Sequence, residues 1–104
     1  MKNITVTELK NFFDNEESFI LLDVRESFEV NYAQITPYLH IPMGILPVRL
    51  NELEKKSPIF VICHTGIRSV QVCSFLEKSG YDVTNVLGGI DAWSSEIDPS
   101  VPRY

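Results

Sequence analysis

One short segment, Cys63-His64-Thr65-Gly66-Ile67-Arg68-Ser69, gathers a thiol, an imidazole, a guanidinium and two hydroxyls directly behind the unbroken apolar run Ile59-Phe60-Val61-Ile62. The run reads as a buried strand and the residues after the segment as a helix, so the thiol stands where one ends and the other begins. A helix start presents N–H groups without intrahelical partners and a partial positive charge. A loop curled around the sulfur would aim several such donors at any anion held there, and both effects favour thiolate over thiol. The chemistry expected is nucleophilic attack by Cys63, with the amides from His64 to Ser69 as an anion cradle. Gly66 would permit the positive φ or close approach a tight cradle demands.

The side chains around the thiol leave more than one role open. Arg68 either steers an oxyanion donor and stabilises a charged sulfur, or spends its fork on a carboxylate near Asp23 and Glu26. Asp23 and Arg25 close the apolar run Phe19-Ile20-Leu21-Leu22, and strand alternation aims both to one face, as a structural ion pair or as contributors to the field of the site. His64 is a donor or proton shuttle, or else a solvent-facing loop residue. Thr65 and Ile67 shape the rim. Cys73 falls on the buried stripe of the next helix and reads as core.

These residues need a scaffold, and the chain of 104 residues is long enough for one domain with one core. With 14 acidic against 9 basic residues the net charge is −5, which argues against nucleic acid or an anionic membrane surface as partner. No apolar stretch approaches the roughly 20 residues a membrane span needs, and the expected compartment is the cytoplasm. Two cysteines in a chain of this kind read as a free pair rather than a disulfide. Neither a C-x-x-C nor an H-x-x-x-H element exists, so no metal site is expected.

Thr5-Val6-Thr7-Glu8 has the form of a capping box, and Leu9, Phe12 and Phe13 follow at helical spacing, predicting a short strand at Asn3-Ile4 and a helix over 6–14. Phe19 to Leu22 reads as a strand buried on both faces. A short helix is expected over Glu26–Tyr32, with Phe28 and Tyr32 one turn apart, and a strand over Tyr38–Ile41. Pro47 is expected to open a helix striped by Leu46, Leu50 and Leu53. Ile59 to Ile62 is the fourth strand. Ser69 is expected to cap the helix carrying Val72, Cys73 and Leu76, which stops at Gly80 before a fifth strand, Val83–Leu87. Gly88-Gly89 then turns into a last helix through Trp93, a core residue. Strands alternating with helices predict an α/β domain with helices on both faces of a parallel sheet, and ligands in such sheets bind beyond the strands' carboxyl ends, where Cys63, Asp23 and Gly88 fall.

Leu21-Leu22-Asp23-Val24-Arg25-Glu26, Ile41-Pro42, the Cys-x-x-Gly-x-Arg-Ser loop of Cys63 to Ser69, Gly80-Tyr81 and Gly88-Gly89-Ile90-Asp91-Ala92-Trp93 resemble, in order and spacing, a single-domain rhodanese. The resemblance covers nearly the whole chain. It implies a five-stranded parallel sheet flanked by helices, and a catalytic cysteine that takes a sulfane sulfur from a donor and passes it to a nucleophilic acceptor such as a thiol or cyanide. Ala33-Gln34-Ile35-Thr36-Pro37-Tyr38 departs from the family's usual Gly-His-Ile-Pro-Gly-Ala, and His40 replaces the usual Asn, outside the cradle.

The expected activity is therefore sulfur transfer through a Cys63 persulfide, from thiosulfate or a small persulfide, with no metal or organic cofactor and a monomeric chain. Three alternatives stand beside it. A persulfide relay would take sulfur from a protein donor. A rhodanese-like module could serve only to dock another protein. Cysteine-dependent phosphatases and arsenate reductases generally resemble Cys-x5-Arg, whereas here four residues separate Cys63 from Arg68, a smaller ring suited to one sulfur atom.

Overall fold

A computed structural model describes residues 1–104. Its strands are β1 (Lys2–Ile4), β2 (Ile20–Asp23), β3 (Leu39–His40), β4 (Ile59–Ile62) and β5 (Val83–Val86); its helices are α1 (Val6–Asp14), α2 (Ser27–Tyr32), α3 (Ile67–Lys78) and α4 (Gly89–Glu96). The strands form one sheet in the order β1-β5-β4-β2-β3, and every pairing is parallel. The apolar runs read as central strands are the central ones: β4 lies between β2 and β5, and all four of its residues are buried.

Period-two alternation divides the core into two layers. Ile4, Leu21, Phe60, Ile62 and Val86 face α1 and α4, where Leu9, Ile90 and Trp93 close the layer. Leu22, Ile59, Val61 and Val83 face α3, with Leu46 and Leu53 completing that side. Both faces of the sheet are therefore covered, which allows near-continuous apolar strands. At α1 the capping box forms as read: Thr5 Oγ1 accepts from Glu8 N at 3.1 Å and Thr5 N donates to Glu8 Oε1 at 3.0 Å. No helix is long and apolar enough to cross a membrane.

Two local features form differently from expectation. The segment around Pro47 is not an α-helix opened by proline but two 3₁₀ pieces, Met43–Val48 and Leu50–Glu52, with Pro47 inside the first. Prolines at 42 and 47 bracket too short a stretch for i→i−4 bonding, and the tighter Ile45 N→Pro42 O and Arg49 N→Leu46 O bonds form instead. In α2 the buried residues are Glu29 and Val30, while Phe28 and Tyr32 are 74% and 58% exposed. The aromatic pair points outward because the inward position is occupied by a carboxylate that a distant arginine requires.

Candidate active site

Strand β4 delivers Cys63 to the carboxyl edge of the sheet, and a loop of three residues carries the chain into α3. Gly66 ends that loop as the N-cap of α3, with φ 103° in the left-handed region, a turn that lets the helix start immediately beside the thiol. Gly66 N donates to Cys63 Sγ at 3.1 Å and Ser69 N at 3.4 Å. Of the six amides expected around the sulfur, these two reach it. Ser69 is not the cap: it is the third residue of α3, fully buried, and its hydroxyl is drawn inward. The thiol donates to Ser69 Oγ at 3.3 Å, and that hydroxyl donates to Asn85 Oδ1 at 2.5 Å. Asn85, on β5, donates in turn to Asn3 Oδ1 at 3.2 Å.

The carbonyls of Cys63 and His64 are taken up by α4. Ile90 N donates to Cys63 O at 2.9 Å and Asp91 N to His64 O at 3.0 Å, so the unpaired amides of one helix start hold the carbonyls of the loop. Meanwhile His64 and Thr65 lie outside any helix or strand and their N–H groups have no backbone acceptor, while those of Ile67 and Arg68 sit in the first turn of α3, where no intrahelical acceptor exists. Cys63 itself is 1% exposed, and none of the four surface depressions is lined by it.

The charged residues pair among themselves. Arg25 Nε and Nη2 grip Asp23 at 2.7–3.2 Å, and Arg25 also donates to Ala33 O at 2.6 Å and Tyr104 Oη at 2.9 Å. Burial works against the Arg25 charge and Asp23 outweighs it, so the guanidinium pKa is raised. His40, in place of the family's asparagine, contacts Arg25 O through Nε2 at 2.7 Å. The Asp23–Arg25 pair thus braces the departing segment and reaches the site through Tyr104 and through the Glu29 carbonyl, to which Arg25 Nη1 donates at 3.4 Å.

Arg68 is held by a residue the sequence reading did not single out. Its Nη1 and Nη2 donate to Glu29 Oε1 and Oε2 at 2.7 and 2.8 Å. This fork lowers the Glu29 carboxyl to about 2, against the burial that opposes it, and the same carboxylate raises Arg68, with a smaller contribution from Cys63. Tyr104 Oη also donates to Glu29 Oε2 at 2.8 Å, and the Tyr104 ring stacks on His64 at 3.9 Å. His64 Nε2 contacts Tyr104 O at 2.8 Å. Thr65 and Ile67 are exposed on the rim.

A depressed carboxyl pKa contributes stability above its unfolded value, lost as pH falls through the folded one. Glu29, ordinarily at 4.5 and here at about 2, is therefore expected to cost the fold about 3 kcal/mol between neutral pH and pH 2. Urea titrations across that range check this, with E29Q flattening the dependence. Cys73 is fully buried in the α3 layer, and burial pushes its thiol up to about 12. Both cysteines are free. Iodoacetamide on the native protein at pH 8 is expected to leave Cys73 unlabelled and to reach it only after denaturation, as peptide mass spectrometry would show.

A five-stranded parallel α/β sheet with a cysteine loop at its carboxyl edge defines a class, and comparison with known proteins gives it a family. The rhodanese-like domain family matches residues 5–96, and the chain belongs to that family. It is 37% identical to YtwF of Bacillus subtilis over 95% of this chain and 96% of the relative. It is equally 37% identical to a protein of Allochromatium vinosum named sulfurtransferase, over 82% of this chain and 80% of that one. A rhodanese-like domain protein from Staphylococcus aureus superposes with a TM-score of 0.89 at 35% identity, covering 100% of this chain and 99% of its own.

Proposed function

We propose that this protein is a sulfurtransferase whose Cys63 carries the sulfur in transit. The thiolate attacks the outer sulfur of a donor: a bond forms between Sγ and that sulfur, and the donor's own bond to it breaks, its electron pair leaving with the thiolate or sulfite. An acceptor thiolate or cyanide then attacks the outer sulfur of Cys63–S–S⁻, and the electrons of the broken S–S bond restore the Cys63 thiolate. The cycle is ping-pong and needs no oxidant, reductant or metal.

The observation that carries this reading is the division of labour in the loop. Two amides are aimed at Sγ, the carbonyls of Cys63 and His64 are held by the amides of α4, and four more N–H groups from His64 to Arg68 lack backbone acceptors. Such an arrangement suits a terminal sulfur anion one bond beyond Sγ, held by preorganised donors rather than by a general base. The phosphatase reading needs an arginine available to a tetrahedral phosphate, whereas Arg68 is bound through both terminal nitrogens to Glu29. Retention of the cysteine and its donors also favours an active domain over a docking module.

The test is intact-protein mass spectrometry after exposure to thiosulfate or a persulfide, followed by discharge to cyanide. Gain of one sulfur atom and its loss on discharge support the reading. A protein that gains none from any donor yet hydrolyses p-nitrophenyl phosphate would replace it with the phosphatase.

A further inference from the structure

The pairing of cations around the loop bears on which sulfur compounds can load it. Arg68 is the one cation within the loop itself, and its charge is matched by Glu29. Arg25 is matched by Asp23 and Arg103 by Asp91. His64 is occupied by the ring and carbonyl of Tyr104. Around the loop no arginine side chain is therefore left without a carboxylate partner to meet an incoming donor, on a chain whose net charge is −5.

Glu29 is also fixed in place. Its Oε1 accepts from Glu26 N at 3.0 Å and from Arg68, and its Oε2 accepts from Arg68 and Tyr104. Its side chain is only 7% exposed. Swinging it aside to free Arg68 would leave a buried carboxylate unpaired, which is strongly unfavourable. A small dianion such as thiosulfate must therefore approach a guanidinium already neutralised, with a second carboxylate oxygen close by. A persulfide brings a single charge, centred on its terminal sulfur, and needs no such cation.

Resting on the sulfurtransfer reading above, we infer that Glu29 sets the donor class: by holding Arg68 it turns away small dianions and leaves the site to persulfides. Glu29 is a positioning residue, acting through Arg68 rather than on the sulfur.

The test compares kcat/KM for loading from inorganic thiosulfate and from cysteine persulfide. The parent is expected to favour the persulfide. E29Q keeps the shape of the side chain but removes its charge, and is expected to raise the thiosulfate-to-persulfide ratio by about tenfold, through KM for thiosulfate, with the gain shrinking as salt rises. The double variant E29Q/R68Q should lose that gain, because no cation remains to be freed. A purely structural role for Glu29 would move both donors together and leave the ratio unchanged; that result, or a gain persisting in the double variant, overturns the inference. The parent supplies an independent measurement should E29Q fail to fold. Its thiosulfate rate is expected to stay flat or rise with ionic strength, and a steep fall would reveal a free cation and overturn the proposal. If the parent accepts sulfur from neither donor, it is the Cys63 reading that fails; if it loads from both and the ratio ignores Glu29, only this inference does.

Discussion

Cys63→Ser is expected to lose sulfur loading altogether: after donor treatment the parent gains one sulfur atom by intact mass, and the variant gains none. A serine hydroxyl in the same place is a far weaker nucleophile and forms no persulfide, so turnover should fall on the order of 10³-fold or more. The substitution is nearly isosteric, and Gly66 N and Ser69 N keep an acceptor to donate to. Stability should change little, so lost loading reports chemistry rather than unfolding. Equal labelling of parent and variant, or labelling at Cys73, would move the nucleophile elsewhere.

Gly89→Ala is expected to damage the fold and the loop together. Gly89 opens α4 at φ 60°, and a Cβ there would stand 2.5 Å from both Cys63 O and His64 O and 2.7 Å from His64 C. All three atoms are backbone, so no side chain can rotate away. The left-handed conformation alone costs about 1–2 kcal/mol with a Cβ. Separating α4 from the loop would also strain the Ile90 N→Cys63 O and Asp91 N→His64 O bonds, each worth about 1 kcal/mol. A total of about 4 kcal/mol, read by urea denaturation, should accompany a loss of loading in whatever remains folded. Gly44→Ala is the control, since a Cβ there meets nothing within 4 Å. Parent-like stability for Gly89→Ala would mean that α4 and the loop are less tightly locked than described.

The sheet was legible because its central strands are runs no other element explains. Ile59 to Ile62 and Phe19 to Leu22 lack helical periodicity, end at polar residues, and occupy the two-sided interior that their composition demands. The position of Cys63 followed from the same logic. What sequence could not supply were pairings across the chain. Glu29 and Arg68 lie 39 residues apart, and Tyr104 meets Glu29 across 75, with no local spacing to announce either. In Ser27-Phe28-Glu29-Val30 a carboxylate sits beside an aromatic on a short helix, and nothing in that spacing says that the carboxylate is the buried one of the two. Ser69 was misread for a related reason, since its propensity for capping was overridden by a thiol and by Asn85. The 3₁₀ segment at Met43–Val48 shows that an apolar stripe specifies which residues are buried more firmly than which helix carries them.

If Cys63 carries sulfur as proposed, its enclosure at 1% exposure bears on the interval between the two half-reactions. Oxidants and bulk thiols act on sulfur by collision, and damage begins on accessible thiolates. Behind this loop a labile atom would outlive its counterpart on a freely diffusing molecule. Natural selection acting on such a domain would have a second quantity to adjust besides speed: how long it keeps custody of its cargo before a suitable taker arrives.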